Sequence, residues 1–183
     1  MKGFLLAITI SFFLFPPGNL FAQKKANLEG IEIGSTAPEI VLPTVDGEEF
    51  QLSQLRGKLV LINFWASWCS PCIKKMPQLL DVYNKYVETD FIDGDKGFEI
   101  VSVSLDRNDI YWKNSIEKNG FDELLNVGDM NGWKCSAAKS YNIRMIPSSV
   151  LIDGKGKIIA VNLSPKDLNK KLKRMRQTGR FWF

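Results

Sequence analysis

A dithiol motif constrains this chain more than any other feature: Cys69 and Cys72 are separated by two residues. The segment Leu59 to Trp65 before it is a short run rich in branched and aromatic residues and predicts a buried strand. From Pro71 to about Glu88 the apolar residues recur near helical spacing and predict a helix. Unpaired N–H groups and the helix dipole favour a thiolate at such a junction, where a cysteine pKa can fall from about 8.5 to roughly 3.5–7.5. The motif therefore predicts thiol–disulfide exchange.

A metal site is the competing interpretation of two closely spaced cysteines. A four-ligand zinc site needs a second ligand pair, but the chain has no histidine and one further cysteine, Cys135. The missing histidine also excludes hydrolases that use a Ser-His or Cys-His pair. We therefore predict redox chemistry with no metal and no cofactor.

Residues 1–22 predict an export signal. Lys2 supplies the positive start, Phe4 to Phe15 form an apolar core of about a dozen residues, and Ala22 offers a cleavage point before residue 23. Leu20 is larger than the residue usually preferred near a cleavage point, so an uncleaved N-terminal anchor remains the alternative. Either arrangement places the body of the protein in an exported compartment, the periplasm or cell envelope, where disulfides form.

The remaining chain has the size of one domain. Residues 23–33 predict a flexible lead-in, and residues 34–183 predict a single globular unit. Apolar residues make up 45% of the chain, which is enough for a hydrophobic core, while three cysteines are too few for a disulfide-built scaffold. The formal net charge of +4 argues against a nucleic-acid partner, for which a basic stripe is expected.

Alternating strand and helix patterns predict an α/β fold with a mixed sheet. Asp46-Gly47 predicts a hairpin turn, residues 89–97 a surface loop, and Gly120 the end of a helix whose Ile110, Trp112 and Ile116 face inward. Residues 121–133 show no clear pattern. The other predicted elements are strands at 98–105, 149–153 and 158–161 and helices at 108–118, 137–141 and 167–177.

Four stretches together resemble the thioredoxin superfamily and, within it, the exported TlpA/ResA-like thiol–disulfide oxidoreductases. They are Gly57 to Cys72, Met76-Pro77, Tyr141 to Asp153, and Gly156 to Ile159. A CxxC motif followed by a helix proline, with a distant Ile-Pro before a strand, is a highly specific combination. The resemblance implies a thioredoxin fold, in which helices flank a mixed central β-sheet, with an N-terminal β-hairpin extension.

The resemblance also implies roles for individual residues. Cys69 resembles the attacking nucleophile and Cys72 the resolving thiol. Pro147 resembles the cis-proline that faces the dithiol, although an ordinary trans turn is the alternative. The expected substrate-binding residues are Trp68, Ser70, Pro71, Ile146 and Pro147.

Three positions depart from the patterns of relatives. Asn63 stands where thioredoxin has a buried aspartate, Ser102 lies near the place of a lysine, and Lys75 replaces a glutamate common in the ResA-like branch. Asn63 and Lys75 are therefore candidate residues for tuning the cysteine pKa, and the loss of negative charge predicts a more acidic Cys69. The alternative for Asn63 is a satisfied core amide without a catalytic role.

The expected function is reduction of disulfides in exported proteins such as apocytochrome c. The expected electron donor is a membrane thiol, and no nucleic-acid partner is expected. One alternative is a thiol peroxidase, but no Thr-x-x-Cys pattern precedes Cys69. The other is a non-catalytic binding module. Cys135 is expected to be a buried free thiol. The tail Phe181-Trp182-Phe183 is expected to dock on the core, and contact with a partner or a membrane is the alternative.

Overall fold

Strand β3 (Leu59–Trp65) is the centre of the fold, and all seven of its residues are buried. It pairs in parallel with β4 (Phe98–Ser104) on one side and antiparallel with β6 (Ser148–Ile152) on the other. With β5 (Leu125–Val127) and β7 (Ile158–Val161) at the edges, the sheet order is β5-β4-β3-β6-β7. The computed structural model describes residues 31–93 and 95–176. The mixed central sheet of the thioredoxin fold is confirmed.

Within residues 31–93 and 95–176, four helices accompany the sheet: α1 (Ser70–Tyr86), α2 (Asp109–Asn119), α3 (Ser136–Ser140) and α4 (Pro165–Met175). Helix α1 packs on the sheet through the buried stripe Cys72, Met76 and Leu79, which repeats at helical spacing. The Tyr86 hydroxyl donates to Asn169 Oδ1 at 3.0 Å and ties α1 to α4. The helix that carries the dithiol therefore contacts the sheet on one side and α4 on another.

The predicted N-terminal hairpin is present. Strands β1 (Val41–Pro43) and β2 (Glu49–Gln51) pair antiparallel around Asp46-Gly47, where Gly47 has φ 92°. This extension reaches the main sheet at its β5 edge, where Val45 N–H donates to Asn126 O. The second hairpin joins β6 to β7.

Helix α2 begins and ends close to its predicted limits, but one of its predicted core residues is wrong. Asn108 caps its start, and Gly120, at φ 66°, ends it as predicted. Trp112 and Ile116 are buried, whereas Ile110 is 60% exposed. Residues 110 and 112 are two positions apart, so the rotation of about 100° per residue places Ile110 about 160° away from Trp112 around the helix axis, off the buried face.

Two segments between elements differ from the prediction. Residues 89–97 are not wholly a surface loop, because Phe91 is buried and the buried Asp95 carboxylate accepts a hydrogen bond from Gly154 N–H. Strand β5 and a short 3-10 helix, Gly132–Lys134, occupy the region that had no clear pattern. Three-residue elements are too short to produce a recognisable period.

The predicted signal at 1–22, most of the lead-in and the aromatic tail lie outside the described residues, and these predictions stay predictions. In the described part of the chain, no helix has the length and apolar character needed to span a bilayer.

Candidate active site

The dithiol lies between the end of β3 and the first turn of α1. Cys69 is the N-cap residue of α1, and its Sγ accepts a hydrogen bond from Cys72 N–H at 3.3 Å. The two sulfurs form a disulfide. Pro71 lies in the first helical turn, where the missing N–H of proline has no intrahelical partner to lose. Both cysteines are buried, and Cys69, at 5% exposed, is the more accessible residue of the pair, since Cys72 is 1% exposed.

Pro147 lies at the same edge of the sheet as the dithiol. The Ile146–Pro147 bond is cis, as predicted. Phe64 pairs with Ser148, and because β6 runs antiparallel to β3, the residues before Ser148 lie beside the end of β3. Ile146 and Pro147 are half-buried and Met145 is 69% exposed, so this turn presents an accessible apolar side chain at the end of the sheet where β3 leads to the dithiol.

Trp68 stands on the surface beside the dithiol. Its side chain is 58% exposed, and its ring centroid lies 6.4 Å from that of Trp133. The two rings border a groove of about 890 Å³ that continues along α2 past Tyr111 and Lys118. Ser70 and Pro71 are also exposed. Trp65, in contrast, is fully buried and belongs to the core.

Asn63 occupies the middle of a polar row that crosses the sheet. In the strand register it lies beside Ser102 on β4 and Ser149 on β6, and Ser102 lies beside Asn126 on β5. All four side chains are buried, and each leaves one oxygen without a hydrogen-bond partner. Asn63 Nδ2 donates to Met76 Sδ at 3.3 Å. The alternative of a satisfied core amide is therefore correct for Nδ2 and wrong for Oδ1.

Lys75 extends towards the connection between β7 and α4. Its Nζ donates to the carbonyl oxygen of Leu163 at 3.3 Å, and burial lowers the pKa of this lysine. The ammonium is therefore held at a fixed place and is only partly screened by water. Its effect on Cys69 stays a prediction.

Asp106 is a buried carboxylate beside the active-site turn that sequence reasoning missed. It follows β4, is 2% exposed, and accepts hydrogen bonds from the amide and hydroxyl of Ser67, two residues before Cys69. The sequence carries a usable signal, since residues that follow neighbouring parallel strands meet at one edge of a sheet. The structure therefore places a buried carboxylate near the site that the departures at Asn63 and Lys75 did not indicate.

Cys135 is a fully buried free thiol, as predicted. Burial raises the pKa of this thiol, and the nearby Asp129 carboxylate adds to the effect. A neutral thiol is a poor nucleophile, which separates Cys135 chemically from the dithiol. Across residues 31–93 and 95–176, no three metal-ligating side chains cluster.

The chain matches known proteins along most of its length. The Redoxin family profile matches residues 32–177. A thiol-disulfide oxidoreductase ResA from Bacillus thuringiensis (strain Al Hakam) is 35% identical over 136 residues, which are 73% of this chain and 71% of the relative. The thioredoxin-like protein YneN of Bacillus subtilis is 27% identical over 181 residues, covering 94% of this chain and 95% of the relative.

Solved structures show the same relationship. The thioredoxin domain of a thiol-disulfide oxidoreductase from Bacteroides vulgatus superposes with a TM-score of 0.69 at 33% identity, covering 80% of this chain and 99% of that one. A thiol-disulfide oxidoreductase from Bacteroides fragilis gives a TM-score of 0.67 at 31% identity, covering 76% and 98%. Together with the dithiol at the start of α1, these matches place the chain in the Redoxin family, as a TlpA/ResA-like thiol–disulfide oxidoreductase of the thioredoxin superfamily.

Proposed function

We propose that this protein is exported and reduces disulfides in other exported proteins, with Cys69 as the attacking thiol. One observation carries the assignment: Cys69 is the more exposed cysteine of the pair and caps the N-terminus of α1. Helix N-terminal N–H groups stabilise a thiolate, and the thiolate is the attacking species. Cys72 lies one turn into the helix, on its buried face, and the sulfur within its reach is Cys69 Sγ, which it attacks once Cys69 is joined to the target.

The reaction proceeds in two exchanges. The Cys69 thiolate attacks one sulfur of the target disulfide, and the other target sulfur leaves as a thiolate that takes up a proton. Cys72 then loses its proton and attacks Cys69 Sγ, which releases the second target sulfur as a thiol. The target gains two electrons, and the enzyme is left with the Cys69–Cys72 disulfide. A dithiol donor at the membrane reduces that disulfide again.

Exposed apolar side chains around the dithiol support a polypeptide target. Trp68, Trp133 and Met145 are 58%, 40% and 69% exposed. Trp68 precedes Cys69 in the chain and its ring lies beside that of Trp133, and Met145 precedes the Ile146–Pro147 turn at the same end of the sheet. Clusters of exposed apolar residues mark interaction sites. Ser70, Pro71, Ile146 and Pro147 complete the proposed contact surface. A disulfide-bearing segment of an exported protein, such as apocytochrome c, is the target class that we propose.

The deciding experiment combines insulin reduction with the reduction potential of the Cys69–Cys72 couple. We expect the parent protein and Cys135→Ala to reduce insulin with dithiothreitol as electron source, and Cys69→Ser to be inactive. A potential near −120 mV, the range of strong oxidants, would contradict a reductase. Hydrogen peroxide turnover without insulin reduction would support the peroxidase alternative, and inactivity in both assays would support a binding module.

A further inference from the structure

Asp106 connects three segments around the dithiol, two through its carboxylate and one through its main chain. Its Oδ2 lies 3.0 Å from Ser67 N, and its Oδ1 lies 2.6 Å from Ser67 Oγ. Oδ2 also accepts from the Ser104 hydroxyl at the end of β4, at 2.7 Å. Its main-chain oxygen accepts from Gly132 N–H, at the start of the short helix that carries Trp133. The turn before Cys69, the end of β4 and one border of the groove therefore meet at Asp106.

The interactions of this carboxylate are unusual for a buried charge. Its hydrogen-bond donors are one amide and two hydroxyl groups, and no lysine or arginine within residues 31–93 and 95–176 forms an ion pair with it. Burying a carboxylate without a cation is costly, and a neutral asparagine could hold the same turn at lower cost. A negative charge at this place, bound to the turn that leads to Cys69, acts on the neighbouring dithiol.

The sign of that effect follows from its position. Ser67 and Cys69 are two positions apart in the chain, so their Cα atoms lie at most about 7 Å from each other. A negative charge at this range disfavours the thiolate and opposes the helix N-terminus. Destabilising the thiolate destabilises the dithiol form, so the couple becomes more reducing. The other charged groups around the turn are Arg107 and Lys118 in the groove and Lys75 on α1.

We propose that Asp106 is a positioning residue of this active site, whose buried carboxylate fixes the turn from Ser67 to Cys69 and keeps the Cys69–Cys72 couple reducing. The proposal rests on the proposed function, in that it explains how a dithiol at a helix N-terminus retains reductase character. It assigns to Asp106 the negative charge that thioredoxin carries at the position of Asn63.

The test titrates the Cys69 thiolate absorbance and measures the equilibrium of the couple with glutathione in Asp106→Asn. We expect the pKa of Cys69 to fall by on the order of one unit, and the equilibrium to shift up to about tenfold towards the dithiol, which corresponds to about 30 mV. Asp109→Asn is the matched control: it removes the same charge from an exposed site on α2 and should change neither value.

Two further variants keep the proposal testable if Asp106→Asn does not fold. Ser104→Ala removes one donor and leaves the carboxylate less neutralised, so the Cys69 pKa should rise by a few tenths of a unit. Ser67→Ala removes the other hydroxyl donor, so the Cys69 pKa should rise by a similar few tenths. Because the turn is then no longer fixed, attack of the fully ionised thiolate on a peptide disulfide should also slow severalfold. An unchanged pKa in Asp106→Asn and Ser104→Ala, or an unchanged attack rate in Ser67→Ala, would overturn the corresponding half of the proposal.

These outcomes are distinct from those of the proposed function. If the parent couple proves oxidising, the reductase assignment fails, while the downward pKa shift in Asp106→Asn still reports the effect of Asp106. If the parent protein reduces insulin and Asp106→Asn leaves the pKa and the potential unchanged, the function stands and the tuning role of Asp106 fails.

Discussion

Asn63 Nδ2 donates a hydrogen bond to Met76 Sδ at 3.3 Å, which joins the central strand to the helix that carries the dithiol. Met76 lies one helical turn after Cys72 on the same buried stripe of α1. The contact therefore fixes the position of α1 on β3, one helical turn after the resolving thiol. It also explains why a polar residue is retained in a strand whose other members are apolar.

The polar row around Asn63 predicts that two substitutions change the free energy of unfolding by different amounts. The Ser102 hydroxyl has no partner, so Ser102→Ala should change the free energy of unfolding by less than about 0.5 kcal/mol or increase it. Asn63→Ala removes a hydrogen bond and buried volume and should lower the free energy of unfolding by about 1–3 kcal/mol. Urea denaturation of both variants checks this, and equal losses would contradict the contrast.

The different accessibility of the two cysteines predicts that Cys72→Ser and Cys69→Ser trap target proteins to different extents. Cys72→Ser leaves Cys69 able to attack but removes the resolving thiol, so mixed disulfides with target proteins should accumulate. Cys69→Ser leaves only the more buried thiol and should trap little. Non-reducing gels of the exported fraction measure the difference. Equal trapping, or trapping by Cys69→Ser alone, would reverse the roles.

Trp68 should affect target binding more than stability. Because 58% of its side chain is exposed, Trp68→Ala should lower the free energy of unfolding by less than about 1 kcal/mol. We expect KM for a peptide disulfide to rise severalfold with little change in kcat. Ile92→Ala removes a similarly exposed apolar residue from the 89–97 segment and serves as the control. An equal rise in KM for both variants would exclude a specific contact.

Lys75 predicts a shift in the acidity of Cys69. Removing a partly buried cation and adding a carboxylate both disfavour the thiolate, so Lys75→Glu should raise the pKa of Cys69. Lys75→Met should produce a smaller rise in the same direction. Thiolate absorbance titration of the reduced protein measures both. An unchanged or lower pKa in Lys75→Glu would remove Lys75 from the tuning of the site.

Cys135 predicts a loss of stability at alkaline pH. Burial raises the pKa of the folded thiol above its unfolded value of about 8.5, so its contribution to stability is complete below that pH and is lost as the pH rises through the folded value. Over pH 8.5 to 9.5 the loss should reach up to about 1 kcal/mol. Cys135→Ala should weaken this dependence, as measured by urea denaturation of the oxidised protein. Identical slopes for both proteins would contradict the prediction.

The sequence by itself determined the redox chemistry and the order of the main elements. The dithiol, the helix after it and the branched strand before it form a local pattern, and local patterns act through neighbours in the chain. The Asp46-Gly47 turn and the Gly120 helix end were predictable for the same reason, because backbone conformation there depends on the residue itself.

Only the tertiary structure decided how charge and polarity are arranged around the sulfurs. Asp106 is 39 residues from Ser67 in the chain and reaches it only because β3 and β4 pair in parallel. Lys75 meets Leu163 across 88 residues, and the row from Asn126 to Ser149 exists only through the register of four strands. Contacts of this kind depend on strand pairing and helix packing, which bring together residues that no local pattern connects.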